Sequence, residues 1–274
     1  MKSPLPSTSN KKRGLILTHD VDWPLHGPGS EHVLARKERF SKEINLKVGD
    51  EGFNPYFGVP KIMEIEEKFG VRSTFFFRPK YDDGSEVGEY EQTLKLLLSG
   101  CWEVGLHSNN TSSVEEVALE KRAVEKAAGK PVSGSRVHYL KVSDSTFSNL
   151  SQAGIKYDSS LTFNKEQIDR RNTGFLVKNG LIVFPVTFMD AYLFTYMGLT
   201  EETIVPFMAK TIDNLFSAGV QIMTLLWHDN SVYMKGGRAY EKLIKQLSVQ
   251  GDITFYKGIE AFEKTKTIIN NAGA

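Results

Sequence analysis

Apolar and polar positions along this chain fall into two alternating kinds of segment. Short runs rich in β-branched and aromatic residues, bounded by turn formers, occur at 14–18, 71–77, 102–107, 132–140, 154–160, 181–188, 220–228 and 252–257. Each predicts a strand. Between them, residues 31–46, 61–69, 89–99, 114–128, 144–153, 201–218, 239–249 and 258–269 place apolar side chains at helical spacing. Gly70, Gly100, Gly154 and Gly219 follow predicted helices, where a left-handed residue ends the last turn. Strand–helix–strand repetition implies parallel pairing through right-handed crossovers. Strands that are apolar without interruption suit a sheet covered on both faces. The pattern predicts an α/β fold, a (β/α) barrel of seven or eight strands, distorted where residues 159–181 lack a helix. An open doubly wound sheet is the alternative. Residues 1–12 are rich in Ser, Pro, Asn and Lys and predict a disordered tail, with 13–274 as a single domain.

In parallel α/β folds the carboxyl ends of the strands build the active site. Here those ends are polar. The first strand runs into His19, Asp20 and Asp22; the third into His107-Ser108-Asn109-Asn110-Thr111. The fourth carries Arg136, His138 and Tyr139, the fifth ends at Asp158, and the seventh ends in Trp227-His228-Asp229-Asn230. One such residue alone reads as a cap or a turn former. Together, strands distant in sequence deliver carboxylates, imidazoles and a guanidinium to one rim. Uncompensated, such groups would cost several kcal/mol each on burial. In the D-V-D spacing, Asp20 and Asp22 face the same side while extended geometry lasts. Two carboxylates so close repel unless a cation lies between them. A divalent metal with one Asp as ligand and the other as base resolves the conflict.

Composition narrows the function classes. Lys and Arg number 34 against 33 Asp and Glu, a net charge of +1, which gives no electrostatic footprint for nucleic acid or an anionic membrane. No run of 18 apolar residues predicts a membrane span. MKSPLPSTSN lacks the apolar core of a secretory signal, which favours a cytoplasmic protein. The lone cysteine, Cys101, permits no internal disulfide and reads as a small core residue. Oligomeric state is not legible.

At these residues the chain resembles the polysaccharide deacetylases of carbohydrate esterase family 4, most closely the branch whose first motif is D-x-D. The resemblance runs from about residue 14 to 257. It implies Asp20 as general base, Asp22 and His107 as metal ligands, and His228 of LLWHD as general acid. Arg136-Val137-His138-Tyr139 resembles the family's Arg-x-Pro-aromatic motif. There the Arg orients the base and the aromatic residue's N–H lines the oxyanion site. Asp158 is a further candidate for holding base and acid in position. The family's second metal histidine, four residues after the first, is Thr111 here, whereas position 138 holds His in place of the usual Pro. His138 is therefore the candidate third ligand, with Asn110, Thr111 or water as alternatives. The resemblance implies a divalent metal, zinc being favoured, and an N-acetylated sugar or polysaccharide as substrate. Two other functions fit the same residues: hydrolysis of non-peptide C–N bonds in a small cyclic amide, and a catalytically silent carbohydrate-binding module.

Overall fold

The computed structural model describes residues 13–272. The run RGLILTHDV forms strand β1 (Arg13–Val21), buried along nearly its whole length. It has neighbours on both sides. β9 (Ile222–Leu226) lies along one edge, from Gly14↔Ile222 to Thr18↔Leu226. The other edge is shared: β10 (Ile253–Tyr256) pairs with residues 13–16, and β2 (Thr74–Phe77) pairs with 18–21. β3 (Glu103–Ser108), β4 (Gly134–Val137) and β5 (Tyr157–Asp158) continue the sheet in parallel. The predicted strands 14–18, 71–77, 102–107, 132–140 and 220–228 are thus neighbours, with their carboxyl ends on one rim.

The barrel is distorted and open, and one segment explains how. The predicted strand 181–188 divides into β7 (Leu181–Val183), paired with β5, and β8 (Phe188–Met189), paired with β9. Pro185 lies between them; it has no N–H to give a ladder. The same stretch of chain therefore crosses from one edge of the sheet to the other. Residues 159–181 contain no α-helix, as expected, but they do contain β6 (Leu176–Lys178), antiparallel to β7. The connecting Asn179-Gly180 has φ of 50° and 79°, the geometry of a tight hairpin turn. The sequence reading missed this strand.

Eight of the nine α-helices among the described residues follow the predicted periodicity closely or in part: α2 (Lys42–Glu51), α3 (Val59–Lys68), α4 (Glu91–Ser99), α5 (Val114–Ala128), α6 (Thr146–Gln152), α7 (Glu201–Ser217), α8 (Ala239–Ser248) and α9 (Gly258–Ala272). The stretch predicted as one helix over 31–46 is broken, with a short α1 (Ser30–Leu34) ahead of α2. Ser41 breaks it by capping α2, accepting from the Ile44 N–H at 3.3 Å. After α4 the left-handed residue is Cys101, φ 70°, not Gly100. That turn directs the Cys101 side chain to solvent, so the expectation of a core cysteine is wrong.

Alternation along β1 sets two cores. Leu15, Leu17 and Val21 face the helices, while Ile16 faces inward onto Phe76, Tyr157, Ile182 and Ile222. The interior is narrow. A Cβ on Gly105 would come within 2.4 Å of the Phe76 ring, and one on Gly134 within 2.0 Å of the Tyr157 ring. These aromatic rings fill the barrel below the rim. His19, one step from Ile16's face, points outward and is fully buried. Its Nδ1 lies 2.6 Å from the Trp227 carbonyl and its Nε2 3.0 Å from Glu66 Oε1. Glu66, on α3, also accepts from Tyr240 Oη at 2.6 Å, Trp102 Nε1 at 2.6 Å and Ser73 Oγ at 2.8 Å. This network ties α3 and α8 to β1 and to the residues adjoining β2, β3 and β9.

Glu66→Ala should leave four buried donors facing no acceptor. We expect a loss of about 3–5 kcal/mol in urea unfolding, since each buried donor left without an acceptor costs about 1–3 kcal/mol. A loss below about 1 kcal/mol, within the range of a single ordinary hydrogen bond, would mean that these donors find other partners.

Candidate active site

Asp20 and Arg136 meet at the rim inside the barrel. Arg136 is fully buried, and its Nη1 lies 3.5 Å from Asp20 Oδ1. Its Nη2 donates to Thr18 Oγ1 at 3.0 Å and Ser159 Oγ at 3.1 Å. Asp20 is 2% exposed, and its Oδ1 has no hydrogen-bond partner among the described residues. That oxygen is the one turned to Arg136; Oδ2 lies 3.8 Å from His107 Nε2, on the side of the cavity that Asp20 lines.

His107 stands on the neighbouring strand. Its Nδ1 is 3.0 Å from the Arg136 carbonyl, so that nitrogen carries the proton and donates. Nε2 is thereby turned to the cavity, 3.1 Å from Asp22 Oδ1 and 3.8 Å from Asp20 Oδ2. His138 Nε2 is 3.8 Å from the same Asp22 oxygen. Donor atoms of Asp22, His107 and His138 all lie within 4.8 Å of one another. Burial works to raise the Asp22 pKa, but the His107 hydrogen bond and the charges of His228 and His107 outweigh it and hold the carboxyl well below its usual range. Burial, with His107 nearby, lowers His138 to about 4, so this imidazole is neutral at pH 7. A carboxylate and two imidazoles whose donor atoms converge make a donor set suited to a divalent cation. The Nδ1–carbonyl bond on His107 is the outer support such ligands usually have. The other candidates for third ligand turn away: Thr111 Oγ1 is paired with Thr146 Oγ1 at 3.1 Å, and Asn110 Oδ1 accepts from the Ser112 N–H at 2.9 Å.

His228 Nε2 faces the same cavity, 3.7 Å from Asp22 Oδ2. Its Nδ1 lies 2.6 Å from Asp190 Oδ1, and its N–H donates to Asp190 Oδ2 at 3.0 Å. Ser231 Oγ donates to that oxygen at 2.6 Å. Burial acts to lower the His228 pKa, but the Asp190 charge and hydrogen bond, with Asp22 and Asp20 behind them, raise it to about 10. Asp190 was not singled out in the sequence. It follows β8, one residue past the pair Phe188–Met189, and its signal is the Asp at a strand end that identified the others. Asp158, which was proposed to steady the base and acid, touches neither. It accepts from Ser135 Oγ at 2.8 Å, Ser160 Oγ at 2.7 Å and the Ser160 N–H at 2.8 Å, beneath the rim. Burial pushes its carboxyl up. Tyr139 is 70% exposed with φ 59°, and its ring stacks on His138 at 3.9 Å between centroids.

These groups line a cavity of about 280 Å³ that also includes Lys165 and Tyr192. Another, of about 570 Å³, opens at the opposite end of the sheet beside Gly14, Gln221 and Tyr256; its walls hold no carboxylate or imidazole. No helix of the described residues is long and apolar enough to cross a membrane.

No family model matches the sequence, and no curated protein does. Solved structures do. The chain has the polysaccharide deacetylase fold. It superimposes with TM-score 0.68 on a Mycobacterium smegmatis protein classed as a polysaccharide deacetylase, at 17% identity, over 97% of this chain and 94% of that one. The Puue allantoinase gives TM-score 0.65 at 12% identity, over 96% and 93%. A carbohydrate esterase family 4 pseudoenzyme from Bacillus anthracis gives 0.52 at 16%, over 92% and 66%. One fold thus covers all three functional readings, and the choice among them rests on the site.

Asp190→Asn should lower the His228 pKa, since the largest influence raising it is removed. A side-chain NMR titration of metal-free protein would show the imidazole losing its proton well below pH 10. An unmoved titration would mean that Asp190 does not govern it.

Proposed function

We propose that this protein is a divalent-metal-dependent hydrolase that removes the acetyl group from an N-acetylated sugar. The observation that carries the reading is the arrangement around Asp22. Asp22, His107 and His138 form a three-donor cluster, with the Asp20 carboxylate, backed by Arg136, on one side and the His228–Asp190 pair on the other. A silent module has no need to hold base, acid and ligands around one cavity.

Bound by Asp22, His107 and His138, a cation, zinc in our reading, would polarise the acetamide carbonyl and acidify water. The chain's own groups supply the proton transfers. Asp20 takes the proton of the attacking water, and the Arg136 guanidinium beside it balances the carboxylate charge. The Tyr139 N–H, turned by its left-handed backbone, is assigned to the developing oxyanion. His228, held protonated by Asp190, delivers its Nε2 proton to the leaving amine. Asp190 takes the orienting role first considered for Asp158.

Protein purified without chelator should contain about one equivalent of divalent metal by elemental analysis, zinc binding most tightly. His107→Ala should lose it. Asp20→Asn is nearly isosteric and should keep fold and metal while lowering acetate release from chito-oligosaccharide about 100- to 10,000-fold, the worth of a positioned base. His228→Ala should cost as much on the N-acetyl amide and less on an ester whose leaving group needs no proton. Metal-loaded protein that binds the sugar and releases no acetate would mark a binding module instead.

A further inference from the structure

The central cavity does not end at the catalytic groups. Asp22, Ala191 and His228 also line a neighbouring cavity of about 580 Å³ that reaches Arg39 and Lys235. On the opposite side, His138 and Tyr139 line a third, of about 420 Å³, that reaches Lys141. The three run together as one groove across the rim, with the proposed site in the middle.

The charges along this groove are unbalanced. Of its carboxylates, Asp20 faces Arg136, Glu38 lies 4.0 Å from Arg39, and Asp190 and Asp22 both face His228, at 2.6 and 3.7 Å. Lys141, Lys165 and Lys235 are exposed, and among the described residues none has a carboxylate within ion-pair distance. Two of them are held by aromatic faces. Lys141 Nζ sits 5.0 Å from the Tyr139 ring centroid. Lys165 Nζ sits 5.6 Å from both Tyr192 and Tyr196, which the π-helical turn Tyr192–Tyr196 brings to one side. A cation on an aromatic face is positioned without being neutralised. Its full charge remains for a ligand. A bound divalent metal would add to the same sign.

We propose that the groove selects an acidic oligosaccharide, in which sugars bearing carboxylates flank the N-acetylated sugar at the centre. The proposal rests on the deacetylase reading for what happens at the centre, but the binding preference stands on the groove. Lys141 on one side and Lys235 on the other meet the flanking carboxylates, and Lys165 stands at the central sugar. The exposed Tyr196 ring beside Lys165 offers flat apolar surface to a sugar face.

The test compares two probes by calorimetry on metal-loaded protein: a heparosan tetrasaccharide, alternating glucuronate and N-acetylglucosamine, and neutral chitotetraose. At low salt the acidic probe should bind roughly tenfold more tightly, since exposed ion pairs contribute about two- to threefold each. High salt should shrink that advantage, because screening acts on exposed charges. The triple variant Lys141→Gln/Lys165→Gln/Lys235→Gln, checked for folding by circular dichroism, should bind the acidic probe no better than the neutral one. Equal affinities in wild type, a preference insensitive to salt, a triple variant that keeps the preference, or binding of neither probe would each overturn the proposal. Acetate release is scored separately. Preference without release refutes the hydrolase and leaves the groove assignment standing; release from chitotetraose without preference does the reverse.

Discussion

Burying Arg136 commits the top of the barrel to a carboxylate. A guanidinium does not lose its proton in a protein, so a fully buried one must find opposite charge and acceptors close by. Thr18 and Ser159 accept from one nitrogen, and Asp20 lies opposite the other. The residue acts twice, because its backbone carbonyl fixes the His107 imidazole through Nδ1. One position on β4 thereby orients the proposed base through its side chain and a proposed ligand through its main chain. The Arg136 Nε and Nη1 make no hydrogen bond, so the burial is incompletely compensated by protein alone. Such a cost at a strand end is what a site, not a core, tolerates.

The other half of the site depends on the flaw in the barrel. Were 181–188 a continuous strand beside β5, Asp190 would lie far from β9. Pro185 breaks the ladder, the chain crosses the gap, and Phe188–Met189 pairs with Leu225–Leu226. Asp190 then arrives next to His228 and binds both its ring and its backbone N–H. The acidic pair exists because the sheet is open there.

Much of this was legible in sequence, for a physical reason. Parallel strands buried on both faces leave uninterrupted apolar runs, and the polar residues that end them mark the rim. Asp20, Asp22, His107, Arg136, His138 and His228 were all found that way and do converge. What failed was anything set by pairing. Asp158 and Asp190 look alike as strand-end carboxylates, and only the register shows that the first is enclosed by Ser135 and Ser160 while the second reaches His228. The Asn179-Gly180 pair marks the β6–β7 hairpin, but the strand before it is only three residues long, too short for alternation to show. Cys101 followed its hydrophobic neighbours in sequence but not in space, since its left-handed φ turns it out.

The placement of His138, the third ligand we propose, shows how such a position can move. The related motif supplies two histidines from one strand and the loop after it; here the residue at the second position, Thr111, is buried against α6 through Thr146. Arg136 on β4 and His138, one residue past its end, are two residues apart and, while the extended geometry lasts, face the same interior. Because Arg136 is opposite His107 in the register, its neighbour two steps on is carried to the rim beside Asp22. Continuing as a strand would drive the chain past the cavity. Instead Tyr139 and Leu140 both take left-handed conformations, φ 59° and 54°. Two consecutive non-glycine residues in that region cost on the order of 1–3 kcal/mol each. The strain reverses the chain immediately after His138, stacks Tyr139 on its ring, and turns the Tyr139 backbone toward the cavity that the motif's aromatic residue serves. The tight turn and the relocated histidine are therefore one feature: a proline at 138 would offer no nitrogen to the cluster and no ring for Tyr139 to stack on.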